Sequence, residues 1–457
     1  MNILRLLIAI IIPAILGLSV LTLVFRNKAV SILERLGLSF GLGIGLITII
    51  MFAVNLFNLK LSYSLVNIII ALIAVPALIW SISKRFPFLG LPKIERLRKI
   101  EYALLGLISL KIAYVFFEAI IKPVFNFDAL WRHSLIAKAI FTDGTFQTPL
   151  TLTLLKTNPP FTSLAQAWIF FGLGSWNQML GKIVFPLLFL SLILVFYAGL
   201  RRYYSKYHSL IFTFLLSALP FMVFHATSAY ADFPQAYFYS IGTLYLFLFI
   251  KDEFKNISDL IIASLFLGLN IFVKRHGIYL AGMDGLILLI ALSFNKKINL
   301  RTKANYVLAL VGLILIIAAP WFYFHQPLVK EIAGNLAVPF SQAEITAETG
   351  LPPVSERLGP ALKTFRDKMF FFGNWHLAWG VIVLSLIFFG RKIFKTPLVY
   401  LLAIIALNLC YTFAGLTLLD TYRFLRDGTL LNRMMLYYMP LVILCCALAM
   451  EETSIRK

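Results

Sequence analysis

The sequence predicts an all-α, polytopic membrane protein, a bundle of about 13 transmembrane helices. Three observations predict it. Hydrophobic residues make up 60% of the 457 residues and charged residues only 13%, against roughly 25% in soluble domains. Mean hydropathy is +0.88. Apolar runs of roughly 17 to 25 residues recur along the whole chain, each long enough to cross about 30 Å of hydrocarbon. Residues 6–23, 104–121, 183–200, 307–324 and 398–414 are examples. These runs lack the alternation of a barrel strand, and helices satisfy their own backbone groups in lipid.

The basic residues order the runs. The net charge of +21 sits in short clusters between apolar stretches, which fits loops facing anionic lipid and argues against a nucleic-acid partner. The clusters are Arg26/Lys28, 84–99, Arg201/Arg202/Lys206, Lys251/Lys255, 296–303, Arg391/Lys392/Lys395 and Arg456/Lys457. Placing all of them in the cytoplasm gives an external N-terminus and a cytoplasmic C-terminus. The first apolar stretch has no small-residue cleavage pattern after it and reads as a retained span. Cys410, Cys445 and Cys446 all lie inside apolar runs, as packing residues do, so neither a disulfide framework nor a zinc site is expected.

Two parts follow: N-terminal helices with a basic loop over 1–101, and a larger unit over 102–457. The larger unit carries three long external segments, 122–178, 325–373 and 417–433. The turns 225–232 and 274–277 face the same side. The first segment holds Asp128 ahead of 129–141, a helix-length stretch with Trp131, Arg132, His133 and Lys138 among apolar residues. Asn158-Pro159-Pro160 then stops one element before a second short helix over 162–172. The mixed faces fit two helices lying in the interface. The segment 325–373, with Glu331, Glu344, Glu348 and Glu356, reads as an exposed, partly helical lid without chemistry.

Acids at the mouth of such a bundle are the candidate reactive groups. Asp128 and Asp232 each open a helical stretch, so each also reads as an N-cap, with Pro234 just inside the second helix. If they share one cavity, they can divide base and orienting roles or hold a divalent cation between them. Asp143 reads as a turn residue. His133 and His225 are accessory candidates as single ligands, each more often a hydrogen-bonded interfacial histidine, and Tyr230 adjoins Asp232. Lys274-Arg275-His276-Gly277 breaks the positive-inside trend between the short runs 260–273 and 278–292. Its cations either snorkel to headgroups or form a phosphate site. Arg433 can fork onto a phosphate or a carboxylate, or pair within its loop with Asp420 or Asp427. Lys111 and Glu118 lie seven residues apart on one helix face, as a structural pair would.

Taken in order, these motifs resemble the GT-C superfamily of polyprenyl-phosphate-sugar-dependent glycosyltransferases, whose members include protein O-mannosyltransferases and lipid A aminoarabinose transferases. The resemblance spans roughly 122–440. It rests on Asn126-Phe127-Asp128, Asn158-Pro159-Pro160, Tyr230-Ala231-Asp232, Val273-Lys274-Arg275-His276-Gly277, and Arg433 with Tyr438-Met439-Pro440. It implies a GT-C-like bundle with an active site facing outside the plasma membrane, or the periplasm. Asp128 would be the catalytic base or acceptor-orienting acid and Asp232 the second acid, with Lys274, Arg275 and Arg433 on the donor phosphate. The implied partners are a polyprenyl-phosphate-linked sugar, a lipid, glycan or protein acceptor, and membrane lipids. Ala129 stands where the mannosyltransferases carry an acid, which leaves metal use open. About three spans precede the first loop where the superfamily has one. Two other classes compete: a flippase or transporter of lipid-linked sugar, and an enzyme like the O-antigen ligases or polymerases.

Overall fold

Glycine-rich close contact sets the first helix pair, and the rest of the bundle builds outward from it. The computed structural model describes residues 2–26, 30–84, 96–155, 158–335, 351–419 and 421–450, with no β-strand among them. Lys28, Arg85 and Lys93 of the 84–99 cluster, Glu344, Glu348, Asp420, Arg456 and Lys457 lie outside the described residues. Helix α1 (Asn2–Phe25) packs on α2 (Ile32–Leu56) and α3 (Tyr63–Ser83). A Cβ on Gly43 would lie 1.7 Å from the Pro13 carbonyl oxygen, and one on Gly17 would lie 1.8 Å from that of Ser39. In lipid, where apolar surface gains little by leaving the solvent, such close backbone approach is what binds two helices. Gly43→Val should therefore lower the melting temperature of the purified protein, by more than the roughly 1–3 kcal/mol of ordinary overpacking. Gly282→Ala, at a position with nothing within 4 Å, should leave it unchanged.

The chain continues through α4 (Lys99–Ile121), a π-helical turn (Ala129–Ser134) running into α5 (Leu135–Asp143), α6 (Pro149–Leu155) and α7 (Phe161–Leu173). Next come a 3-10 turn (Leu180–Ile183), α8 (Val184–Arg201), α9 (Lys206–Ser217), α10 (Pro220–Thr227), α11 (Asp232–Lys251), α12 (Ile257–Val273) and α13 (His276–Phe294). After α14 (Leu300–Asn335) follow α15 (Val354–Arg366), a second π turn (Asp367–Phe371), α16 (Ala378–Lys395), α17 (Leu398–Leu418), α18 (Tyr422–Arg426) and α19 (Leu431–Ala449). The protein is an integral, multi-pass membrane protein.

By length and composition, 10 described helices can cross a membrane, or 11 if α9 and α10, bent by 65° at Pro220, form one span. The 13 expected from the charges is reached only by also counting α12, one turn too short at 17 residues, and α16, whose last turns carry Arg391, Lys392 and Lys395. The short helix expected over 162–172 is α7, but it is buried on nearly every face among α1, α2 and α5. A helix apolar all round belongs inside a bundle, which is where α7 sits. The segment 325–373 also differs from a simple lid. α14 runs ten residues past His325, and α15 packs on α17, with buried Arg357 donating to the carbonyl oxygens of Pro352 and Leu419.

Members of three basic clusters, Arg202, Lys251 and Lys392, meet at one end of the bundle. There Arg202 pairs with Glu34 and, at 3.9 Å, with Asp259, and Tyr245 donates to Glu34. Lys251 lies over the Tyr203 ring, and Lys392 donates to the Ala449 carbonyl oxygen. Inside the bundle sits an acid that the sequence reading passed over. Asp284 of α13 accepts from Thr243 at 2.6 Å and Tyr239 at 3.3 Å, both on α11. These bonds fix α13 against α11 and so set where the turn at 274–275 emerges.

Candidate active site

Asp232 opens α11 and is fully buried, so its carboxylate has to be satisfied by the protein. Three side chains do so. Lys274 Nζ donates to Oδ1 at 2.7 Å, and the Tyr437 hydroxyl donates to the same oxygen at 2.6 Å. Arg433 reaches Oδ2 with Nε at 2.9 Å and Nη2 at 2.8 Å. The same Nη2 lies 3.1 Å from Asp128 Oδ2. Arg433 therefore ties together two carboxylates that are far apart in the chain, and the ring of Tyr230 backs its guanidinium at 5.0 Å.

Local structure explains why these side chains converge. Lys274 caps α12 with extended backbone, and α13 starts two residues later. The turn is this tight because a Cβ on Gly277 would lie 2.5 Å from the Asn270 carbonyl oxygen. Asn270 also accepts from Gln235 at 2.6 Å, which joins the end of α12 to α11 one turn below Asp232. Arg433 and Tyr437 stand one turn apart on α19 and so share a face. Asp128 precedes the π turn, a distortion frequent at functional sites. Asn126 fastens that strand of chain by donating to Ser228 at 3.1 Å. Asn158 accepts from the Arg275 backbone N–H at 3.4 Å.

Asp128 holds the N-cap position of the π turn but makes no capping hydrogen bond, and Asp232 is the first residue inside α11, whose N-cap position is Ala231. Among the described residues of its own loop Arg433 has no carboxylate partner: Asp427 accepts from the Thr429 hydroxyl at 2.7 Å and its N–H at 3.1 Å. Glu118 pairs at 2.5 Å with Lys122, not with Lys111. The position between Asp128 and Asp232 where a shared divalent cation would lie is filled by the Arg433 guanidinium. No group of three or more metal-ligating side chains occurs among the described residues.

The two acids differ in access. Asp128 keeps 42% of its side chain exposed, while that of Asp232 is entirely covered. Asp128 faces a cavity of about 590 Å³ that Phe221, Phe224, His225, Tyr230, Phe424 and Arg433 help to line. His225 is buried in its wall, its ring 4.5 Å from Phe221 and 5.2 Å from Tyr230, and its Nδ1 has no hydrogen-bond partner. His133 lies on the inner side of the cluster. Burial lowers its pKa to about 3, with Arg132 and Lys274 adding to the effect, so its imidazole is neutral at ordinary pH. Burial also draws the Lys274 ammonium below its usual range, while Asp232 opposes the shift. Arg275 is exposed and joins the cluster through its backbone alone.

Tyr437 was not picked out from the sequence; its neighbour Tyr438 was. Tyr438 is buried with its hydroxyl unpartnered, away from the acids. The signal that distinguishes them is the four-residue spacing from Arg433, which places Tyr437 on the arginine's face and Tyr438 about 100° round the helix.

Residues 157–324 match the family model of dolichyl-phosphate-mannose-protein mannosyltransferases. Two solved structures of ArnT from Cupriavidus metallidurans are similar over 77% of this chain and 77% of theirs. The one bound to undecaprenyl phosphate has 17% identity and a TM-score of 0.41, and the apo form has 16% and 0.42. No curated protein sequence matches the chain. The matched segment carries Asp232 and the turn at Lys274.

Proposed function

We propose that this protein is a glycosyltransferase that moves a sugar from a polyprenyl-phosphate donor to an acceptor hydroxyl or amine at the outer face of the plasma membrane, with inversion at the anomeric carbon. The observation that carries the reading is the single cluster of Asp128, Asp232, Lys274 and Arg433, in which one acid is open to a cavity and the other is locked to cations. The family description names a polyprenyl-phosphate sugar of this kind.

The chemistry follows from that division. Asp128 takes the proton of the acceptor as its oxygen or nitrogen bonds to the anomeric carbon. The bond from that carbon to the phosphate oxygen breaks, and its electron pair leaves on the lipid phosphate. Lys274, Arg275 and Arg433 meet the negative charge that develops there. Asp232 touches neither reactant; it positions Lys274, Arg433 and Tyr437. The basic end of the bundle is the cytoplasmic one by the charge rule, which puts the cluster at the outer leaflet.

The test is turnover by the full chain reconstituted in liposomes, supplied with undecaprenyl-phosphate-linked sugars. Release of undecaprenyl phosphate with formation of a glycosylated product is expected. Movement of the intact lipid-linked sugar between leaflets without bond cleavage would instead make the protein a transporter.

A further inference from the structure

We propose that the cavity on the open side of Asp128 is an acceptor subsite for an uncharged sugar ring. This rests on the reading of Asp128 as the base. The cavity's volume of about 590 Å³ is within the usual range for small-ligand sites. Three features specify its occupant.

The first is the aromatic wall. Phe221, Phe224, Tyr230 and Phe424 all line the cavity, and the Phe221 and Phe224 rings lie 6.2 Å apart, inclined by 29°. The electron-rich face of an aromatic ring attracts the weakly positive C–H face of a pyranose, whereas an extended peptide offers no such flat face. The second is charge. Arg433 is the only cation among the described lining residues, and its guanidinium is already shared by Asp128 and Asp232. Asp427 adds a further carboxylate at the rim. A phosphate-bearing acceptor would meet two carboxylates and, among the described lining residues, no cation besides Arg433, and like charges brought together in this way disfavour binding. The third is the unpartnered Nδ1 of His225. The residue is only 1% exposed, and it sits in the cavity wall where a small turn of the imidazole would let a ring hydroxyl supply the missing hydrogen bond.

The geometry therefore holds a sugar flat against the aromatic wall and directs one of its hydroxyls to Asp128. That hydroxyl loses its proton to Asp128 as its oxygen bonds to the anomeric carbon of the donor, and the lipid phosphate leaves with the electron pair.

Saturation-transfer NMR on the full chain in nanodiscs tests this. The probes are a panel of neutral disaccharides, the same disaccharides carrying a 6-phosphate, and a peptide rich in serine and threonine. Transfer to at least one neutral disaccharide is expected, with none to the 6-phosphates or the peptide. Phe224→Ala should weaken the neutral signal roughly tenfold. Asp427→Arg should admit the 6-phosphates, a gain that misfolding cannot mimic. Stronger signals from the phosphates or the peptide, silence from the whole panel, indifference to Phe224→Ala or exclusion of the phosphates by Asp427→Arg would each overturn the proposal. Undecaprenyl phosphate binding, measured on the same samples, separates this failure from that of the function. Binding retained leaves the donor reading standing, and binding absent removes it.

Discussion

Asp128→Asn should lower the rate of sugar transfer by about 10²–10⁴, the usual contribution of a positioned general base. Binding of the lipid donor should change little. The asparagine is nearly the same size and can still accept from Arg433 Nη2, so the cluster keeps its shape. It cannot take the acceptor's proton. The loss should thus appear in kcat and in kcat/KM together, as expected when the missing interaction forms only in the transition state. The melting temperature should stay near that of the parent, because the Asp128 side chain is substantially exposed and its ion pair is of the surface kind. An Asn variant with full activity would reduce Asp128 to a tether for Arg433.

Arg433→Ala should damage both stability and activity. It leaves Asp232 buried with Lys274 and Tyr437 alone to compensate it, and removing one partner from a buried charge pair costs about 3–5 kcal/mol. Arg433→Lys separates the two effects. The lysine keeps the charge, so most of the stability should return. A single ammonium cannot reproduce the fork that holds Asp232 with two nitrogens and Asp128 with one of them. Asp128 then loses its fixed position, and transfer should fall roughly a hundredfold, as small misplacements of reacting groups do. Thermal unfolding and initial rates on the same preparations decide the matter. A Lys variant with parental turnover would show that the arginine serves only to neutralise charge.

Much of this site was legible because a charge in an apolar chain is conspicuous. Asp128, Asp232, Lys274 and Arg433 each stand at a helix end, and the positive-inside pattern put all four on one side. What the sequence could not reveal is how they meet. Arg433 lies 201 residues from Asp232 and 305 from Asp128, and no local pattern encodes that it fills the gap between them. Asp128 does stand at an N-cap position and Asp232 just inside its helix, so the local reading of each acid as a cap came close in place but not in partners. Tyr437 was hidden by an adjacent tyrosine of the same type. Asp284 was hidden by its place inside an apolar run, where Thr243 and Tyr239 from another helix satisfy it. The span count was limited by elements near the threshold, since the Pro220 bend, the 17-residue α12 and the basic end of α16 all blur where a crossing begins.

The central claim is a division of labour, with Asp128 serving the acceptor and the cations serving the lipid phosphate. Binding of undecaprenyl phosphate to the parent, Asp128→Asn and Lys274→Ala proteins in nanodiscs, by native mass spectrometry, tests it most directly. The account predicts that the parent and Asp128→Asn bind alike, while Lys274→Ala binds about tenfold more weakly through loss of a charge-assisted contact. Equal binding by the parent and Lys274→Ala, or weakened binding by Asp128→Asn alone, would contradict it.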